Sequence, residues 1–409
     1  MAKIMPFHGL LPVPENVAEV AAVPYDVVNS QEAAELAKGH PLSFLHVSRP
    51  EIDMEPGVNL YSDSVYAKAA ENFKKLCETA PLKLDAEEHL YVYRQIMGDH
   101  SQTGILGAAS ADDYKNNIIK KHEKTRPDKE DDRTRHVMTL RSHTGPAFLT
   151  YQDSDQINAL VEKISQETPL FDFTAVDGIQ HTLWRVDVEN SKKLSELFAE
   201  IPYLYIADGH HRSAAAARTQ AECTPENPNH TGDEDYNFFL AVTFPASQLK
   251  VLPYNRAVKT LNGLTAEELI EKISKDFTVT LTSNPEPQKS GEFCMYVAGK
   301  WYLVVPKFDV NSLGVIDCLD VSVLQSNILG PMLGIEDPRT SKGIDFVGGI
   351  RGIGELEKLV DCGSHAVAFS MFPTTVKQLM DIADADAIMP PKSTWFEPKL
   401  RDGIVCHNF

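Results

Sequence analysis

Residues 203–213 read Tyr203-Leu-Tyr-Ile-Ala-Asp-Gly-His-His-Arg212-Ser213, and four alanines follow before Arg218. Tyr203 to Ala207 are apolar and strand-forming, which predicts a buried strand. Asp208-Gly209 breaks it, because glycine accepts backbone angles that other residues resist. The alanines carry strong helix propensity and predict a helix from about His210. Asp208, His210, His211 and Arg212 therefore gather where a strand hands over to a helix. The first turn of a helix leaves backbone N–H groups unsatisfied, and the helix dipole favours an anion there. A carboxylate for a metal, two imidazoles and a guanidinium fork at such a place suit phosphate chemistry. Taken singly, an Asp-Gly pair is usually a turn, and a histidine at a helix start usually caps or faces water. Their conjunction at one junction marks a functional site.

The surrounding chain alternates strands and helices irregularly, which favours an α+β fold over a doubly wound parallel sheet. Helices are expected over Gln31–Lys38 with Ser30 as N-cap, Tyr61–Glu78, 154–166, 191–200 and 264–277, with shorter ones over Val321–Leu329 and, capped by Thr374, through Met380. Strands are expected over Leu90–Met97, Ile105–Ala109, Phe148–Tyr151, Phe238–Phe244 and Ala366–Phe372, with a turn region over Gly98–Gly104. A hairpin is expected around Ala298-Gly-Lys300. Gly348-Gly-Ile-Arg-Gly-Ile-Gly354 lacks the dinucleotide-fingerprint spacing and reads first as a tight connection.

The 409 residues suit two or three packed domains, and 43% hydrophobic with 24% charged residues is ordinary for a globular chain. A net charge of -19 argues against a surface built for DNA or anionic membrane. Cys77, Cys223, Cys294, Cys318, Cys362 and Cys406 are scattered with no CxxC pair, as expected of reduced thiols in a cytoplasmic protein. Met1 to Pro12 has no apolar core of a secretion signal, and no stretch approaches the ~20 apolar residues of a membrane span.

A second segment, Lys120 to His136, holds seven basic and five acidic residues in seventeen. Most charge runs are solvated faces. Here Arg126-Pro127 interrupts any single helix, and the mixed signs suit a pocket for phosphate and a metal ion. His122-Glu123 begins like a zinc-protease motif, but Arg126 stands where the second histidine belongs. Glu123 remains a candidate general base, since a carboxylate among lysines and arginines stays ionised. A third segment, Met389-Pro-Pro-Lys-Ser-Thr394, supplies an ammonium and two hydroxyls that can hold phosphate oxygens. GxxxxGK[ST] and the protein-kinase signatures are absent.

Val23-Pro-Tyr-Asp26, Phe44-Leu-His-Val-Ser-Arg-Pro-Glu51, Lys121-His-Glu-Lys-Thr-Arg-Pro-Asp128, Ala207-Asp-Gly-His-His-Arg212 and Met389-Pro-Pro-Lys-Ser-Thr394 together resemble the domain of unknown function 1015 family, over almost the whole chain. Three of these motifs, in the same order, also resemble the free L-serine kinases of the ParB/sulfiredoxin-like superfamily: His122-Glu123, Asp208 to Arg212, and Pro391-Lys-Ser-Thr394. The resemblance implies a ParB/sulfiredoxin-like catalytic core and transfer of a phosphoryl group to the hydroxyl of free L-serine. It leaves the donor open among pyrophosphate, ATP and ADP, since this chain is longer and Ser393 replaces a threonine. It implies Glu123 as base, with Asp208 and His211 also catalytic. Gly209, His210, Arg212, Lys392, Ser393 and Thr394 would bind the donor, with Asp208 as ligand of Mg²⁺. His122, Arg126 and Arg49 are expected on the substrate, the arginines as partners for an amino-acid carboxylate.

Three regions are expected. Residues 1–85 form an N-terminal α/β segment packing on the core, 86–245 the catalytic core, and 246–409 a C-terminal α+β region with the phosphate-binding segment. The expected partners are small molecules, with no nucleic acid or membrane, and a homodimer is an open assembly state. Competing readings are a nucleotide- or DNA-binding ParB-like protein and a metal-dependent phosphohydrolase.

Overall fold

The structure is a computed structural model describing residues 1–80 and 82–409. The fold is mixed α+β, with several sheets and interspersed helices. The chain divides into two units: residues 1–249 with 398–409, and residues 250–397. No helix among the described residues is long and apolar enough to cross a membrane, and the six cysteines are free.

Unit 1 is built on a nine-stranded sheet. Its strands are β1 (Ile4–Met5), β2 (Tyr91–Met97), β3 (His100–Ser110), β4 (Ile119–Lys120), β5 (Ala147–Tyr151), β6 (Phe171–Thr174), β7 (Gln180–Arg185), β8 (Leu204–Asp208) and β9 (Phe238–Pro245). The order is β4-β8-β5-β9-β3-β2-β7-β6, with β1 paired to β3. β8 runs parallel to β4, and β9 parallel to β5; the other pairs are antiparallel. The turn expected over Gly98–Gly104 shrinks to Gly98-Asp99, and β3 starts at His100. The polar residues that suggested a loop are satisfied inside the sheet. Gln102 Nε2 donates to Gln95 Oε1 at 3.0 Å, and both side chains are buried.

The principal helices of this unit are α1 (Ser30–Ala37), α2 (Asp63–Thr79), α3 (Pro127–Leu140), α4 (Asp155–Ile164), α5 (Val188–Phe198) and α6 (His210–Cys223). Asn29 caps α1 in a capping box with Glu32, so the N-cap lies one residue before the expected Ser30. Pro127 opens α3, where its missing N–H costs nothing. On α4, Ile157, Leu160, Val161 and Ile164 recur at helical spacing and join the core beneath the sheet with Phe198 and Tyr151. Each such side chain contributes ~1.5–3 kcal/mol by leaving water. Residues 398–409 return to this unit. Cys406–Asn408 forms a strand between Gly9–Leu11 and Ser142–His143 in a small four-stranded sheet.

Unit 2 holds a six-stranded, antiparallel sheet of β10 (Tyr254–Val258), β11 (Phe277–Leu281), β12 (Phe293–Val297), β13 (Lys300–Pro306), β14 (Ile344–Gly348) and β15 (Val367–Met371). The order is β11-β13-β12-β15-β10-β14. The β12–β13 hairpin turns at Ala298-Gly299, with φ of 49° and 73°, as a two-residue hairpin turn demands. Its helices are α7 (Ala266–Ile273), α8 (Ile353–Asp361) and α9 (Val376–Asp384). Thr375, not Thr374, caps α9 with Gln378, because the Thr374 hydroxyl donates to the Ser393 carbonyl instead. The helix expected over Val321–Leu329 runs as an α-turn, Asp320–Leu324, and continues as a π-turn, Gln325–Leu329. Gly348 and Gly349 lie against the Trp395 ring and Pro253, where a Cβ would approach within 2.8 and 2.7 Å. This glycine run is therefore a tight connection.

Candidate functional site

The strand–turn–helix expected at residues 203–213 is present. β8 ends at Asp208, Gly209 stands at φ 89°, and α6 begins at His210. Glycine is required at 209 on two counts: the left-handed angle, and the Ala147 Cα that would lie 3.2 Å from a Cβ. The Asp208 carboxylate is fixed on both sides. Its Oδ1 accepts from the Gly209 amide at 2.7 Å, and its Oδ2 from Lys399 Nζ at 2.7 Å. Burial alone would raise this acid, but Lys399, Arg212 and the Gly209 amide outweigh it and hold the pKa near 2.

Lys399 was missed as a site residue in the sequence. The buried Gln95–Gln102 pair sets its position, since Gln95 Nε2 donates to the Lys399 carbonyl at 2.8 Å. Three residues on, Asp402 does the same for Arg212. Its Oδ1 lies 3.2 Å from Arg212 Nη2, while Arg212 Nη1 donates to the Pro146 carbonyl at 2.8 Å. Burial pushes Asp402 up to about 6 against the pull of Arg212. Burial also works against the Arg212 charge, yet Asp402 and Asp26 overcome it and raise its pKa. Gly145 makes room for this pair, because a Cβ there would collide with Asp402 Oδ1.

His122 and Glu123 follow β4, which runs beside β8. The His122 ring meets the His210 ring edge-on at 4.5 Å, and Glu123 Oε2 lies 4.0 Å from His210 Nδ1. Both histidines are buried, and burial lowers both: His122 to about 4, His210 well below its usual range. They are therefore neutral at pH 7. The Glu123 side chain is half exposed. His211 Nε2 accepts from the Arg126 amide at 3.2 Å, which ties the 121–126 loop to the first turn of α6. The Arg126 guanidinium reaches Asp128 at 2.8 Å and faces solvent. Lys120 lies over the Tyr203 ring, and Lys121 donates to the Tyr114 carbonyl.

The structure thus gathers His122, Glu123, Arg126, Asp208, Gly209, His210, His211 and Arg212 at one helix start, and adds Lys399 and Asp402. Arg49 is engaged elsewhere, with Glu51 at 3.2 Å and the Ser30 hydroxyl at 3.2 Å. Lys392, Ser393 and Thr394 belong to unit 2. There the Lys392 carbonyl accepts from Arg256, and the Ser393 hydroxyl donates to the Pro390 carbonyl at 2.6 Å.

Two small cavities, about 40 and about 20 Å³, flank Arg212. The larger is lined by Tyr25, Arg133, His136, His143 and Asp402 among others, with Arg133 stacked over the Tyr25 ring at 3.9 Å. Each has room for little more than water. Glu123 and Asp208, by contrast, reach open solvent.

The cavity histidines carry a pH consequence. Burial lowers His136 to about 4 and His143 to about 3. An unfolded histidine titrates near ~6.5, so these two stabilise the fold fully above that pH, and the contribution is lost as pH falls through 4. Urea midpoints measured from pH 7 to pH 4.5 should decline. His136→Gln, which can keep the bond to the Val47 carbonyl, should flatten that decline by ~3 kcal/mol at most. An unchanged slope in the variant would show that His136 is protonated in the folded protein.

The family profile described as Protein of unknown function (DUF1015) matches residues 4–322. The chain belongs to this family. The DUF1015 match spans every residue of the site at the α6 start and ends before Lys399 and Asp402. No curated protein matches the sequence. Among solved structures, this DUF1015 chain is similar to C-terminally truncated SbnI from Staphylococcus aureus, at 9% identity over 73% of this chain and 85% of that one, TM-score 0.40. It is also similar to a conserved hypothetical protein from Pyrococcus furiosus, at 15% identity over 74% and 94%, TM-score 0.35. A third is free serine kinase in complex with AMP, at 14% identity over 74% and 91%, TM-score 0.34.

Proposed function

We propose that this protein is a small-molecule kinase that transfers a phosphoryl group to the hydroxyl of free L-serine, giving O-phospho-L-serine. The observation that carries the reading is a solvent-reached Glu123 4.0 Å from His210 in the first turn of α6, on the junction that also holds the Asp208–Lys399 and Arg212–Asp402 pairs. A base stands beside an anion-attracting helix end that already holds two cations. The motif order shared with the ParB/sulfiredoxin-like serine kinases supplies the acceptor and the superfamily.

In this reading Glu123 takes the proton as the serine oxygen attacks phosphorus, and the bond from phosphorus to the leaving phosphate oxygen breaks in line. Phosphoryl transfer asks mainly for positioning and charge neutralisation. The first-turn amides of α6, His210 and His211 face the donor, with Lys399 as the nearby cation. Arg212, locked between Asp402 and Pro146, holds that frame. Asp208 orients Lys399. Mg²⁺ prefers oxygen ligands, and each Asp208 oxygen accepts one hydrogen bond. Each oxygen keeps a lone pair beyond that one hydrogen bond, so Asp208 would hold Mg²⁺, and the ion would supply charge neutralisation to the donor phosphates. The assignment of Lys392, Ser393 and Thr394 to the donor, and of Arg126 to the serine carboxylate, rests on the motif resemblance.

Phosphorus NMR of the purified protein with Mg²⁺ and L-serine, given pyrophosphate, ATP or ADP in separate tubes, tests the proposal. A phosphoserine signal establishes the kinase, and its tube names the donor. Donor consumption without phosphoserine would replace the reading with hydrolysis. Lys399→Met should lower turnover ~10²–10³-fold, the usual loss for one preorganised donor. It should also move the acid limb of the pH–rate profile upward, since the cation that lowers Asp208 is gone. An unmoved limb would separate Lys399 from Asp208 in catalysis.

A further inference from the structure

We propose that His122, His210 and Glu123 hold a divalent transition-metal cation of the manganese-to-zinc class. One nitrogen from each histidine and one oxygen of Glu123 all lie within 4.8 Å of one another. A modest inward shift of these atoms would enclose a cation at the ~2.0–2.2 Å typical of zinc–nitrogen and zinc–oxygen bonds.

The two histidines give an independent reason to look for a ligand here. His122 is 2% exposed and His210 6%. Neither ring nitrogen of His122, nor Nε2 of His210, has a hydrogen-bond partner of good geometry, although the Ile206 backbone faces the His122 ring. A buried polar atom left without a partner costs ~1–3 kcal/mol, and native proteins rarely tolerate several together. Here they face one another across an edge-on ring contact. A cation between them would answer one nitrogen of each ring with one group.

The donor set selects the ion. Mg²⁺ wants oxygen ligands in octahedral array, whereas two imidazoles with one carboxylate suit manganese, iron, cobalt or zinc. Three protein ligands leave at least one position for water or a phosphate oxygen. The frame is firm enough to hold them. Residues 122 and 123 leave β4, which is hydrogen-bonded to β8, and His210 opens the helix that follows β8. Asp208, on the same junction, is held by Lys399 and the Gly209 amide and stands outside this set. The inference does not depend on the serine-kinase reading, because an occupied site would bind metal whatever the acceptor.

The test is metal content and metal affinity of the full chain. The protein, purified without chelator, is assayed by mass spectrometry of bound metals. Chelator-stripped protein is then titrated calorimetrically with Zn²⁺, Mn²⁺ and Mg²⁺ separately, and with Co²⁺ followed by its visible absorption. The expected result is one tightly bound transition metal per chain and Co²⁺ bands of a nitrogen–oxygen site, with Mg²⁺ far weaker. His210→Ala should lower Zn²⁺ affinity by more than the ~10–100-fold that loss of an outer partner costs. Glu123→Ala, at a half-exposed position, tests the site without opening a core cavity and should weaken binding in the same way. Stoichiometric binding unaffected by either variant would overturn the site, as would its absence from the wild type. Equal affinity for Mg²⁺ would overturn the choice of ion. Metal loss in Glu123→Ala with no kinase activity in the wild type would leave this site standing and remove the serine-kinase reading.

Discussion

Turnover of the Glu123→Gln protein should fall ~10²–10⁴-fold, the usual contribution of a positioned general base. The amide keeps the shape of the side chain and cannot take the serine proton. Because the carboxylate is half exposed, stability should stay within ~0.5 kcal/mol of wild type. Single-turnover phosphoserine formation at saturating donor is the measurement, with the serine KM read alongside. A drop in kcat at near-constant KM is the signature of a base. A kcat within a few-fold of wild type would move that role to another group. If the loss comes with loss of bound metal, Glu123 acts as a ligand; with metal retained or never present, it acts on the proton alone.

Arg212→Ala should destabilise unit 1 by ~3–5 kcal/mol, the cost of stranding a buried partner charge. Asp402 is only 3% exposed and would lose the guanidinium that offsets its burial. Arg212→Lys should recover little, because one ammonium cannot satisfy both Asp402 and the Pro146 carbonyl in their present places. The pH dependence has a definite sign. Asp402 already has a raised pKa, so its neutral form is favoured in the fold and the associated stability is lost as pH rises through about 6. The Arg212→Ala defect should therefore be milder at pH 5 than at pH 7. A double variant with Asp402→Asn should regain much of the stability at pH 7 while remaining poorly active. If the double variant is as unstable as the single one, the damage comes from lost packing and not from a stranded carboxylate.

The centre of the site was legible because it is local. A strand former run, a glycine and an alanine-rich helix leave Asp208 to Arg212 one arrangement, and the structure adopts it. Lys399 and Asp402 were not legible, since their partners stand 190 or so residues away and nothing in the sequence pairs them. Lys399 lies five residues beyond the third segment, in which Lys392 beside two hydroxyls carries the phosphate-binding signal. β6 and β7 were missed for another reason. His181 and Thr182 are buried within β7, so its polar letters hide a core strand. His181 is stacked on Tyr93 and Phe173, and its Nδ1 meets the Tyr93 hydroxyl at 2.6 Å. The hairpin turn before β3 was over-read in the same way, through Gln102 and its buried amide partner.

The return of residues 398–409 to unit 1 has a consequence for biosynthesis. A ribosome that has finished Leu249 must still make the ~150 residues of unit 2 before Lys399 and Asp402 emerge. At ~5–20 residues per second this is roughly seven to thirty seconds. Throughout that interval the nascent unit 1 holds Arg212 without Asp402, Asp208 without Lys399, and the Gly9–Leu11 strand without its Cys406–Asn408 neighbour. The junction of β8 and α6 can form early, yet its charges are matched only when translation has passed through the whole of the intervening unit. Assembly of the site is thereby coupled to synthesis beyond unit 2, and chains that stall within unit 2 carry its charges unmatched.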